Sequence, residues 1–234
     1  MLLRHDHSVP TELPTGVATP CVFVVDDDDA TRRFLASLFR AVGWRTETFT
    51  SAQEFLARPL APVASCLVTE VALPEVDGLQ LQELLAAGGH AMPIVFVTRC
   101  DDVPTTVRAM KAGAVDFIPK PADVRALLTA VAKAIEASRA MLQQRERMRE
   151  LQARYESLTP RERDVLAGVV RGRLNKQIAG DLEISEVTVK KHRGRIMRKM
   201  NAGSLAALID TCLRTSIGAK PALVASSTLD PNFR

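Results

Sequence analysis

Two groups of residues in this 234-residue chain have the types and spacing to do chemistry. One is the run Ser-Glu-Val-Thr-Val-Lys-Lys-His-Arg-Gly-Arg-Ile-Met-Arg-Lys-Met at 185–200. Read as a helix with Ser185 as N-cap, it places Val189, Ile196 and Met200 on one stripe and Lys190, Lys191, Gly194 and Arg198 on the opposite face. Six of its residues are Lys or Arg, and none of the last thirteen is acidic. A merely solvated face mixes signs, because like charges three and four residues apart repel. A polyanion relieves that repulsion, so the segment points to DNA. The second group is Asp26–Asp29, Glu70, Thr98 and Lys120, each following a short apolar run. Any one alone is a loop or cap residue. Together, on one rim, they make a polar site.

The elements that must position the second group alternate. Cys21–Val25, Ser65–Val68, Pro93–Val97 and Ala114–Ile118 are short apolar runs of the kind that buried parallel strands show, and the more polar Trp44–Thr50 belongs nearer an edge. Between them lie helical patterns at Ala30–Val42, Ser51–Leu56, Leu79–Ala87 and Pro104–Ala112, the second opening with a Ser-x-x-Glu capping box. Five strand–helix alternations predict a doubly wound α/β domain with a five-stranded parallel sheet, whose sites lie at the carboxyl ends of the strands.

The text around those ends resembles the receiver domain of bacterial response regulators, in the branch of nitrogen-fixation and nitrate regulators. The matching residues are Val24-Val25-Asp26-Asp27-Asp28, Leu73-Pro74-Glu75-Val76-Asp77-Gly78, Ile94-Val95-Phe96-Val97-Thr98 and Ala109-Met110-Lys111-Ala112-Gly113-Ala114-Val115-Asp116-Phe117-Ile118-Pro119-Lys120-Pro121. The resemblance covers residues 21–121. It implies that Asp26 and Asp27 form an acidic pocket for Mg²⁺, and that Thr98 and Lys120 bind oxygens of a phosphoryl group. It also implies that Phe117 is the aromatic residue that swings on activation.

One position departs from the family. The phosphoacceptor Asp lies four residues before the Pro of the Leu-Pro turn, and Glu70 stands there. The extra methylene carries the carboxylate outward by ~1.5 Å. Phosphoryl transfer depends on positioning, so the displaced nucleophile is handicapped, and the carboxylate could instead reach toward Thr98 and Lys120 and imitate part of the phosphorylated state. The expectation is a receiver that works without phosphorylation, with Glu70 either imitating the phosphorylated state or inert in a domain that dimerises or binds a partner, and with ordinary phosphorylation-dependent signalling as the alternative. Arg99 and Cys100 are a further departure beside Thr98.

Residues 122–157 read as a helical linker, since no Gly or Pro interrupts them and Leu127, Val131, Ala134, Met141, Met148, Leu151 and Tyr155 form a broken stripe. Pairing of two such helices between protomers is one reading, and packing on the chain's own domain is the other. Leu158-Thr159-Pro160-Arg161-Glu162 is a helix start with a capping box, and further helices begin at Asn175, Ser185 and Gly203. Residues 158–217 thus form an all-α four-helix domain.

That domain resembles the LuxR-type helix-turn-helix through Leu158–Glu162, Asn175-Lys176-Gln177-Ile178-Ala179 and Ile184–Arg193. The resemblance implies base contacts from Lys190, Lys191 and Gly194, the last of which has no side chain. Lys176, Thr188, Arg193 and Arg198 are the implied phosphate contacts. Promoter DNA, RNA polymerase, a homodimer and a sensor kinase are the partners that such a chain implies. Glu183 occupies the turn where many relatives carry Gly.

Charge divides the same way: residues 21–121 hold nine Lys/Arg against thirteen Asp/Glu, and residues 155–215 hold twelve against seven. An acidic half joined to a basic half suggests nucleic acid as the partner of the second. Cys21, Cys66, Cys100 and Cys212 are scattered and read as free thiols of a cytoplasmic protein. No apolar run is long enough to span a membrane, and segments 1–20 and 218–234 read as disordered. One enzyme reading competes. Asp27-x-Asp29-x-Thr31 matches the opening of haloacid-dehalogenase-like phosphatases, with Thr98 and Lys120 as their later motifs, but no acidic pair follows Lys120. The expectation is a regulator, not an enzyme, that requires no cofactor.

Overall fold

A computed structural model describes residues 18–59, 61–90, 92–100, 102–215 and 217, so most of the two segments expected to be disordered lies outside the described residues. The chain divides into two compact units, residues 1–144 and 145–234.

In the first unit β1 (Cys21–Val25), α1 (Asp29–Ala41), β2 (Arg45–Phe49), α2 (Ala52–Leu56), β3 (Ser65–Thr69), α3 (Gly78–Ala87), β4 (Ile94–Thr98), α4 (Val103–Lys111) and β5 (Asp116–Pro119) alternate as expected. All strand pairings are parallel, in the order β2-β1-β3-β4-β5. Every residue of β1, β3 and β4 is buried, as uninterrupted apolar runs require when helices cover both faces. The polar β2 lies at the edge. One face packs Phe23, Phe55, Leu67, Leu81 and Phe96, and the other packs Val22, Phe39, Cys66 and Val95.

Helix starts lie beside the strand ends. Asp28, Ser51, Asp77 and Asp102 each accept the amide three residues on. The capping box expected at Ser51 is only half formed: Glu54 accepts from the amide and hydroxyl of Thr50 instead. Gly78 opens α3 hard against β3. A Cβ there would meet the Glu70 carbonyl oxygen at 2.3 Å, so only glycine lets the two backbones approach this closely.

The long helix α5 (Val124–Glu156) runs through the segment expected to be a linker, but its first half belongs to the first unit. Leu127, Ala130, Val131, Ala134 and Ile135 are buried against the sheet, and the Ser138 hydroxyl accepts from the Ser65 amide at 3.0 Å. Of the expected stripe, Met141 and Met148 are exposed. Packing on the chain's own domain therefore accounts for residues 124–138, because that apolar face covers the sheet.

The second unit contains α6 (Pro160–Val170), α7 (Asn175–Asp181), α8 (Glu186–Lys199) and α9 (Leu205–Thr215). Its core joins Leu158, Val165, Leu166, Ile178, Val189, Ile196, Met200 and Leu208, with Leu151 and Tyr155 packed against it. The Thr159–Glu162 capping box is complete. At Gly168 a Cβ would meet Ile178 at 2.9 Å, which fixes the approach of α6 to α7. Glu183, in the α7–α8 turn, adopts φ 53°, the left-handed conformation that favours glycine.

Candidate functional site

At the carboxyl rim of the sheet, Lys120 after β5 reaches across β4 and β3. Its ammonium donates to Asp26 Oδ2 at 2.7 Å and lies 2.8 Å from Glu70 Oε2. The remaining oxygens of the two carboxylates also have donors. Asp26 Oδ1 accepts from the Asp28 amide at 2.9 Å, and Glu70 Oε1 from the amides of Val71 at 2.8 Å and Ala72 at 3.3 Å. Buried Thr98 completes the cluster, its hydroxyl oxygen accepting from the Cys100 amide at 3.0 Å. Asp26 is 2% and Glu70 5% exposed, so the rim is a desolvated network with Lys120 between two carboxylates.

Burial pushes the Glu70 carboxyl up. Hydrogen bonds from Lys120 and Thr98, with the charge of Lys120, outweigh that and hold it below the usual carboxylate range. Burial likewise works against the Lys120 charge, and Asp26 and Glu70 overcome it, raising its pKa above the ordinary value.

The structure brings Asp26, Glu70, Thr98 and Lys120 together, but leaves Asp27 exposed. Phe117 is half-buried, its ring 5.9 Å from that of Phe96. Magnesium takes octahedral oxygen ligands, commonly one or two carboxylates plus waters. Asp26 and Asp27 are the residues that would hold it; here each Asp26 oxygen accepts one hydrogen bond and the Lys120 ammonium lies between the buried carboxylates of Asp26 and Glu70. Among the described residues no group of three His, Cys, Asp or Glu could hold a metal ion. The residues of the phosphatase-like motif serve the start of α1. Asp29 pairs with Arg32 and Arg33, and Thr31 donates to the cap Asp28.

The second unit presents the basic helix. The Ser185 hydroxyl caps α8 by accepting from the Thr188 amide at 3.2 Å, and lies 2.8 Å from the Thr188 hydroxyl. Val189, Ile196 and Met200 are buried, so Lys190, Lys191, Gly194 and Arg198 face outward and are exposed. Lys176 is exposed in the first turn of α7. Two of the six cations of this stretch are otherwise engaged. Arg193 donates to Asn175 Oδ1 at 2.6 Å, tying α8 to α7. Lys199 turns inward to Glu162 Oε2 at 2.7 Å and the Ser157 carbonyl at 2.9 Å. Arg195, absent from the positions inferred by sequence, is exposed on the flank beside Lys191, and charge count was the signal that could have found it.

Residues 22–132 match the family described as the response regulator receiver domain, and residues 156–212 that of bacterial regulatory proteins, luxR family. Nodulation protein W of Bradyrhizobium diazoefficiens is 46% identical over 188 residues, 80% of this chain and 83% of the relative. The transcriptional regulatory protein FixJ of Azorhizobium caulinodans is 40% identical over 196 residues, 84% and 93% of the two chains. The solved structure of response regulator StyR, at 46% identity, superimposes with a TM-score of 0.75 over 84% of this chain and 100% of that one. The chain therefore belongs to the DNA-binding response regulators of two-component systems, which join a receiver domain to a LuxR-type helix-turn-helix. No helix among the described residues is long and apolar enough to cross a membrane.

Proposed function

We propose that this regulator binds its promoter DNA sequence-specifically without being phosphorylated, because Glu70 stands where the family carries its phosphoacceptor aspartate. The observation that supports this is the state of the Glu70 carboxylate. One oxygen is on the amides of Val71 and Ala72 and the other on Lys120, with Thr98 alongside. Those are donors that an incoming phosphoryl group would need, and Glu70 already holds them within its own backbone reach. A preformed anion among these groups stands in for part of the charge that phosphorylation would introduce.

In this reading the receiver-like domain runs from residue 21 through the first half of α5, and residues 158–217 are the DNA-binding domain. Lys190 and Lys191 read bases; Lys176, Thr188 and Arg198 position the phosphate backbone, and Arg193 orients α8 through Asn175. The chain acts in the cytoplasm as a homodimer on half-sites about 34–36 Å apart, one helical turn, and engages RNA polymerase there. It has no enzymatic activity and needs neither a cofactor nor a sensor kinase to bind.

The test is DNA affinity at fixed salt on a site selected from a random pool, with and without acetyl phosphate and Mg²⁺, for the wild type and Glu70→Asp. The wild type should ignore the donor while Glu70→Asp responds. A large gain in wild-type affinity on adding the donor would return the chain to conventional phosphorylation-dependent regulation.

A further inference from the structure

Val187 is an exposed residue of α8 to which none of these roles falls. It lies in the first turn and is 61% exposed, whereas Val189 and Ile196 of the same helix are buried. At about 100° per residue it falls between Lys190 and Lys191 and about 160–180° from Val189 and Ile196. A branched apolar side chain thus stands in the middle of the basic face, directed away from the core. Beside it, two turns on, Gly194 leaves the face open, with nothing within 4 Å of where a Cβ would lie.

We propose that Val187 is a specificity-determining residue that packs on the 5-methyl group of a thymine in the major groove. Its chemistry selects that partner. Valine has no donor or acceptor for a base edge, and among the four bases only thymine offers an apolar group in the major groove. Its place in the first turn fits, because a helix-turn-helix recognition helix meets base edges with its N-terminal residues. The missing side chain at Gly194 lets a base pair approach the same stretch of helix without obstruction. This rests on α8 being the helix that enters the groove. It adds an apolar reading element to the polar contacts of Lys190 and Lys191.

The experiment uses the full chain and the duplex it selects from a random pool, with each thymine replaced singly by deoxyuridine, which lacks only the methyl group. Affinities are measured at fixed salt for the wild type and Val187→Ala. The wild type should lose about fourfold at one thymine per half-site, the worth of one buried CH₂-sized group. Val187→Ala should bind the normal and substituted duplexes alike, at the weakened level. Because Val187 is exposed, the variant should keep the wild-type helical circular dichroism. Insensitivity of the wild type at every thymine would overturn the proposal, as would a loss that persists undiminished in Val187→Ala. A chain that selects no sequence at all would overturn the groove-facing reading of α8 as well.

Discussion

The Lys120 ammonium lies 2.8 Å from the Glu70 carboxylate, and both are held in a network that also takes in buried Asp26. Removing the cation leaves two desolvated carboxylates facing each other. Removing one carboxylate leaves Lys120 with the other. Lys120→Met should therefore cost about 3–5 kcal/mol, the usual loss when one partner of a buried ion pair goes. Glu70→Gln should cost only about 1–2 kcal/mol, because its amide oxygen can still accept from Val71 and Ala72. Trp44 is the sole tryptophan and packs in the first unit, so its fluorescence during urea unfolding reports that unit. Equal losses in the two variants would show that the network does not discriminate between them.

The same pair sets a pH window. Glu70 has a folded pKa below its unfolded value of about 4.3, so its contribution is complete above that value and is lost as pH falls through the folded pKa. Lys120 has a folded pKa above its unfolded value of about 10.4. Its contribution is complete below that pH and is lost as pH rises through the folded pKa. Trp44-detected stability from this network should be flat between about pH 5 and 9. Glu70→Gln should make the acid limb shallower without changing the plateau's shape. An unchanged acid limb would place the titrating group elsewhere.

Two glycines should respond differently to alanine. At Gly78 the added Cβ would fall 2.3 Å from the Glu70 carbonyl oxygen and 3.1 Å from the Val71 Cα, backbone atoms that cannot rotate aside. Gly78→Ala should cost about 2–3 kcal/mol by overpacking and displace the Glu70 segment. At Gly168 the obstacle is not backbone but Cγ1 of the buried, β-branched Ile178, at 2.9 Å, which gives only by a small shift of α7, and alanine regains about 0.5–1 kcal/mol of helix propensity. Gly168→Ala should then cost less than Gly78→Ala, about 0–2 kcal/mol. Urea titrations followed by Trp44 for the first, and by far-ultraviolet circular dichroism for the second, check the contrast.

The sheet was legible because β1, β3 and β4 are unbroken apolar runs, which few other structures accommodate in so short a length. The rim was legible too, since the topology brings strand ends together whatever the side chains do. The end of the receiver's last helix was not. Residues on both sides of position 144 share one helical pattern, and only packing reveals that Leu127–Ser138 cover the sheet while Leu151 and Tyr155 belong to the second core. Side-chain direction was equally hidden. Arg193 and Lys199 carry the same sign as Lys190, yet both turn to neighbours that lie eighteen and thirty-seven residues earlier in sequence. The Glu70 carboxylate bending back onto the amides of Val71 and Ala72 depends on loop geometry that composition does not encode.

That difference in direction separates the cations of α8 by experiment. Lys190 and Lys191 are exposed on the outward face, and either one changed to Ala should weaken binding to the selected site by about 1–3 kcal/mol and relax its base preference. Lys199 removes the same charge when changed to Ala, but its partner is Glu162, which is 2% exposed. Burial pushes the Glu162 carboxyl up, and the hydrogen bond from Lys199 holds it down. Lys199→Ala should therefore cost stability, about 1–3 kcal/mol after allowing for the lysine being a third exposed, while leaving base preference intact. The two sets of variants are compared by affinity on selected and scrambled duplexes and by thermal unfolding. If Lys190→Ala and Lys191→Ala lose equally on both duplexes, those side chains touch phosphate alone. If Lys199→Ala alters base preference without loss of stability, its amino group reaches DNA and the inward pairing with Glu162 does not persist in solution.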